Sequence, residues 1–158
     1  MSDPAGDGVG PGDIRGLRLS YDDPYIHVRV RTEDPIDIHA TPAWVRAGSS
    51  TVLRANLDVD EDAAVDYAAV LRRGSGGPAV QLLDLQPMPS PSPRILCIAI
   101  EQPQPTMIDI SVNRGCMGSA EHVRAFVRYR LDRGGDGSVN SDDRAPNTGF
   151  SPVFPFII

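Results

Sequence analysis

Between residues 25 and 31, polar and apolar side chains alternate one for one: Ile26, Val28 and Val30 stand against Tyr25, His27, Arg29 and Arg31. An extended chain turns successive side chains to opposite faces, so this period of two predicts a strand with one buried and one wet face. The pattern returns at 51–59, with Leu53, Ala55, Leu57 and Val59 inward and Val52, Arg54, Asn56 and Asp58 outward. It returns again at 122–132, with Val123, Ala125, Val127, Tyr129 and Leu131 inward and Arg124, Arg128, Arg130 and Asp132 outward. Shorter apolar stretches bounded by Pro, Gly, Asp and Asn predict further strands at 36–39, 43–46, 80–85, 95–100 and 107–112. The run 95–100 is apolar throughout, which fits a central strand covered on both faces, with Cys97 as an ordinary buried hydrophobe.

Residues 60–73 satisfy two patterns. Acids in the first turn, Ala-rich content, Arg72 and Arg73 near the end and Gly74 beyond it suit a helix. Alternation of Val65, Tyr67, Ala69 and Leu71 ahead of Gly74-Ser75-Gly76-Gly77-Pro78 suits the first arm of a hairpin, which is preferred. Seven or eight short strands with no helix alternating between them predict an all-β, antiparallel sandwich with room for one short helix. Residues 42–48 followed by 50–56 resemble the early hairpin of immunoglobulin-like modules, which implies an immunoglobulin-like sandwich and no particular function.

The 158 residues suit one domain. Residues 1–17 are rich in Gly and poor in large apolar side chains and predict a flexible arm. The sandwich then spans 18–133, a polar linker or loop 134–149, and an apolar tail or edge strand 150–158. Residues 86–94 alternate proline with other residues and predict a stiff, extended connector.

Charge narrows the functional classes. Twenty-one acidic residues against 15 basic ones give a net charge of -6, unlike a nucleic-acid binder that neutralises phosphates. No apolar run approaches the roughly 18 residues of a membrane span, and the N-terminus is not basic then apolar, so neither membrane anchor nor signal peptide is expected. The expected location is cytoplasmic, and Cys97 and Cys116 are expected as free thiols in a reducing compartment.

Candidate chemistry is sparse. Counting Asp132 as the first position of a twelve-residue calcium loop puts oxygen ligands at Asp132, Asp136, Asn140 and Asp143, with Gly137 at the sharp turn. Residues 136–141 resemble the loops of dockerin modules, which implies calcium, although Gly134 lacks a ligand oxygen and the following prolines bar an exiting helix. Asp58, Asp60 and Asp62 form a second acidic cluster, with solvated charge as its expected role. His27, Asp37 and His39 could assemble two imidazoles and a carboxylate, the donor set of a metal-dependent β-barrel enzyme. Cys116 with His122 or His39 could form a nucleophilic pair. None of these outweighs a non-enzymatic interaction or assembly module. Its docking element would be the tail, through Phe150, Val153, Phe154, Phe156, Ile157 and Ile158, and its partner another protein or a second copy. The competing expectation is that the tail packs on its own domain as an edge strand.

Overall fold

A computed structural model describes residues 12–85, 92–94, 97–118 and 120–156. Among the described residues eleven strands appear in chain order: β1 Ile14–Asp22, β2 Tyr25–Thr32, β3 Val52–Asp58, β4 Tyr67–Gly74, β5 Gly77–Asp84, β6 Ser92–Arg94, β7 Ile98–Gln104, β8 Met107–Asn113, β9 His122–Leu131, β10 Ser141–Ala145 and the two-residue β11 Phe154–Pro155. They form two antiparallel sheets, one of four strands ordered β1-β2-β8-β7 and one of six ordered β10-β9-β3-β4-β5-β6, with β11 beside β9. The fold is the all-β sandwich the alternation predicts, with more than seven or eight strands.

The core lies between the sheets. Ile26, Val28, Val30, Ile108, Ile110 and Val112 of the small sheet meet Leu53, Ala55, Leu57, Val123, Ala125, Val127 and Tyr129 of the large one, all fully buried. Each large aliphatic side chain so buried stabilises the fold by about 1.5–3 kcal/mol. Trp44 stacks on Tyr129 with ring centroids 6.0 Å apart and closes one end of this layer.

Several expectations are corrected. Residues 43–46 form no strand: Pro42 opens the short helix α1, Pro42–Val45, which drives Trp44 into the core. The hairpin resembling immunoglobulin-like modules therefore lacks its first arm. Residues 36–39 are also not a strand. Their amides and carbonyls are held by Pro105 and the Gln102 side chain, which accepts from Ile38 N at 3.2 Å and donates to Ile36 O. For residues 60–73 the preferred hairpin reading holds and the helical alternative does not. β4 forms a hairpin with β5, in register from Tyr67↔Asp84 to Gly74↔Gly77.

The run 95–100 yields an edge strand: among the described residues β7 pairs only with β8, and residues 95 and 96 lie outside them. Within the supposed arm, Ile14 and Leu17 are buried in β1, because two apolar side chains suffice to anchor a strand end in a Gly-rich sequence. Residues 1–11 lie outside the description, as do 86–91 of the proline-rich connector. The supposed linker 134–149 contains β10, whose Asp143 points inward and accepts from Ile14 N at 2.5 Å, joining the two sheets at their seam. Gly135 sits at φ 66°, where an added Cβ would lie 2.5 Å from the Pro42 carbonyl oxygen. Only glycine lets this loop lie against α1.

Candidate functional site

The C-terminal segment lies along its own domain. β10 covers β9 from 127 to 131, and the tail covers the same edge further back. There Ser151 N donates to Ala125 O at 2.7 Å, Ala125 N to Ser151 Oγ at 3.0 Å and Phe156 N to Glu121 O at 2.8 Å. Phe156 is buried, 5.3 Å from the ring of Tyr21, and Phe150 packs edge-on to Phe126 at 5.1 Å. Phe154 is half-buried, while Val153 is 40% exposed between two surface clefts of about 190 and about 500 Å³. Ile157 and Ile158 lie outside the described residues.

The smaller of those clefts touches Leu17, Arg18 and Leu19 on one side and residues 151–154 on the other. Consecutive strand residues face opposite ways, so a cleft touching three in a row follows the strand's edge. That edge of β1 pairs with no strand among the described residues, since β1 pairs only with β2. Arg18 and Asp22 are exposed on the wet face of β1, four residues apart, and neither has an ion-pair partner among the described residues. Leu19 and Tyr21 face the core between them.

The outer face of the large sheet carries a different chemistry. Register sets Val52 opposite Arg130, Arg54 opposite Arg128, Asn56 opposite Phe126 and Asp58 opposite Arg124. A groove of about 420 Å³ runs over the first three pairs. Arg128 grips Asp142 through Nε at 2.7 Å and Nη2 at 2.5 Å, and Arg130 approaches the same carboxylate at 3.8 Å. Arg54 has no carboxylate partner among the described residues, and its Nε is buried without a hydrogen bond. Burial draws the Arg54 guanidinium below the ordinary arginine value. Asn56 is only 4% exposed, lines the groove, and has no hydrogen bond to its side-chain amide from any described residue.

The sequence-derived metal sets do not assemble. Asp132 is fully buried rather than outward, and its carboxylate accepts from Gly137 N at 2.7 Å, Ser50 N at 3.1 Å and Asp136 N at 3.2 Å. Asp136 accepts from Ser138 N, Asn140 from Arg133 N and Asp143 from the amides of Ile14 and Arg144. Each of the four candidate calcium ligands is spent on the backbone, and the three carboxylates do not converge within 4.8 Å. Loop closure by side-chain oxygens explains this Asp- and Asn-rich stretch.

His27 Nδ1 faces Asp109 Oδ1 at 3.3 Å and Ser111 Oγ at 3.1 Å on β8, and Asp109 is gripped by Arg29. Asp37 and His39 are instead exposed at a separate cleft of about 510 Å³ with Thr41 and Gln102, so His27, Asp37 and His39 form no common centre. Cys116 is bonded to Cys97, which removes it as a nucleophile for His122 or His39 and corrects the expectation of free thiols. His122 lies 3.2 Å from Glu61.

Asp58 is also buried rather than solvated, and oxygens of Asp58, Asp60 and Asp66 come within 4.8 Å of one another. This is the one such acidic group among the described residues. These carboxylates and that of Asp62 hold the turn together: Asp58 accepts from Glu61 and Ala63, Asp60 from Asp62, Asp62 from Ala64 and Asp66 from Val59.

No helix among the described residues is long and apolar enough to cross a membrane. Comparison with family models, curated proteins and solved structures finds no match.

Proposed function

We propose that the protein is a non-enzymatic assembly module whose partner is a second copy of the chain, added along the edge of β1 that pairs with no strand among the described residues. The observation that carries this reading is the placement of Arg18 and Asp22 on that edge. An antiparallel pairing centred on Ser20 sets Arg18 opposite Asp22 of the second copy, and Asp22 opposite its Arg18. Leu19 meets Tyr21 in both directions. A two-fold interface requires such self-complementarity, and each cross-strand pair contributes about 0.2–1 kcal/mol. The edge from Arg18 to Asp22 supplies main-chain donors and acceptors, while Val153 offers apolar surface beside the slot.

The non-enzymatic part of the reading rests on how the candidate groups are used. Both thiols form the disulfide, and the paired histidine contacts are each to a neighbouring carboxylate or hydroxyl.

Five paired residues make a weak interface, so solution mass is to be measured by light scattering from about 10 µM to about 1 mM. The expected result is a rise from 17.0 kDa towards twice that value. Arg18→Asp should remain monomeric by setting like charges opposite each other, and Arg18→Asp with Asp22→Arg should restore the dimer. A parent chain that stays at 17.0 kDa throughout, or an Arg18→Asp variant that dimerises equally well, overturns the reading.

A further inference from the structure

We propose that the groove on the outer face of the large sheet binds a small hydroxylated organic anion, one oxyanion carried on a sugar-sized body, with Arg54 and Asn56 as its principal contacts. The argument begins with charge. On a chain of net charge -6, the groove gathers the guanidinium groups of Arg54, Arg128 and Arg130, and Asp142 is the carboxylate that serves the latter two. Arg54 is left with a half-buried, uncompensated charge, a costly arrangement that an incoming oxyanion relieves by presenting two acceptors to the guanidinium fork.

The second observation is independent of charge. Asn56, 4% exposed as a residue, lines the same groove, and its amide makes no side-chain hydrogen bond to a described residue. An amide both donates and accepts, and a hydroxyl beside the oxyanion satisfies it in both senses. Val52 and the edge of Phe126 supply apolar wall for the carbon skeleton. The Phe126 ring is already fixed by the Arg144 guanidinium 4.1 Å above it and by Phe150 at 5.1 Å. A volume of about 420 Å³ lies within the ordinary range for small-molecule sites. The anion can be the carboxylate of a sugar acid or a phosphate ester. Both present oxygens to Arg54, and the experiment separates them.

The test is calorimetric titration of the full chain at low salt with glucuronate, glucose 6-phosphate, glucose, acetate and inorganic phosphate, each up to about 10 mM. Glucuronate binding identifies the carboxylate source and glucose 6-phosphate binding the phosphate source; either supports the proposal provided glucose does not bind. Arg54→Met should weaken that binding at least about tenfold, and raising the salt should weaken it further. Asn56→Leu should weaken the sugar-bearing ligand about tenfold. Labelling of the unaltered protein with an arginine-selective dicarbonyl provides a readout free of folding effects, because the bound ligand should protect Arg54 more than Arg72 or Arg133.

The proposal is overturned by absence of binding for both anionic sugars. It is also overturned if acetate or inorganic phosphate binds as tightly as its sugar-bearing counterpart, or if Arg54 is not protected. Binding of an acidic peptide in place of both sugars likewise overturns it and makes the groove a protein-recognition surface.

Discussion

The carboxylate of Asp58, fully buried at the end of β3, stands opposite Arg124 of β9 and accepts a hydrogen bond from its Nη2. The same carboxylate accepts from Glu61 N at 2.7 Å and Ala63 N at 3.1 Å. One side chain therefore neutralises a cation on the sheet and closes the turn that follows. Glu61 and Ala63 hold φ of 65° and 68°, a region that side-chain-bearing residues seldom occupy, and the Asp58 oxygens help hold them there.

Replacing Asp58 by Ala should cost about 3–5 kcal/mol, because it leaves a guanidinium and several turn amides without their acceptor. Asp58→Asn, which keeps an acceptor oxygen, should cost less. Urea denaturation measures both, and a double-mutant cycle with Arg124→Ala should give a coupling of about 1–3 kcal/mol. A loss below about 1 kcal/mol in Asp58→Ala would show that the pair is peripheral to stability.

Acid should act on two aspartates in opposite senses. Burial raises the Asp132 carboxyl, but amides of Ser50, Gly137, Asp136 and Gly135 together outweigh it and hold the group below its ordinary value. Its folded value therefore lies below its unfolded one. The stability it contributes is fully present above the unfolded value, and it is lost as pH falls through the folded value. For Asp66, burial is the main cause of a raised value, reinforced by the charges of Asp60, Asp58 and Asp62 and opposed by the Val59 amide. Its ionised form costs stability at neutral pH, and that cost is relieved as pH falls through the raised folded value. Denaturation curves between about pH 7 and pH 3 should show Asp132→Asn converging on the parent as pH falls. Over the same range the parent should gain relative to Asp66→Asn. A constant gap in either comparison contradicts the assigned direction.

Strands β2, β3 and β9 were legible because burial writes a period of two directly into the order of residues. Apolar content without alternation carries less information: residues 98–100 belong to an edge strand, since a run of apolar side chains does not say which strands lie beside it. Polar content misleads in the opposite way. Asp58, Asp132 and Asp143 look solvated, yet each is buried because its oxygens serve backbone amides that no local pattern reveals. The arginine groove was half legible. The outward positions of Arg54, Arg128 and Arg130 follow from alternation, but the β3–β9 register that sets Arg54 beside Arg128 is a long-range pairing. Asn56, on that same outward face, reads as an ordinary exposed polar residue until neighbouring strands cover it.

The Cys97–Cys116 bond supplies a covalent tie where non-covalent pairing is thin. Its Cα atoms lie 5.9 Å apart, within the ordinary span of a disulfide. It joins the residue before β7 to the 3₁₀ turn Arg114–Met117 after β8, across a separation of 19 residues. Among the described residues β7 is paired on one side alone, so the bond limits how far that hairpin opens. Closing a loop of this length stabilises a fold by about 3 kcal/mol. Bonds of this kind persist in oxidising surroundings. Protein isolated without reductant should show no reactive thiol after denaturation, and Cys97→Ser with Cys116→Ser should unfold at lower urea. Hydrogen exchange should locate the effect. On reduction, the amides of β7 should lose protection first while those of β9, flanked on both sides, keep theirs. Two titratable thiols in protein recovered from an oxidising compartment, or uniform loss of protection across both sheets, would contradict this account.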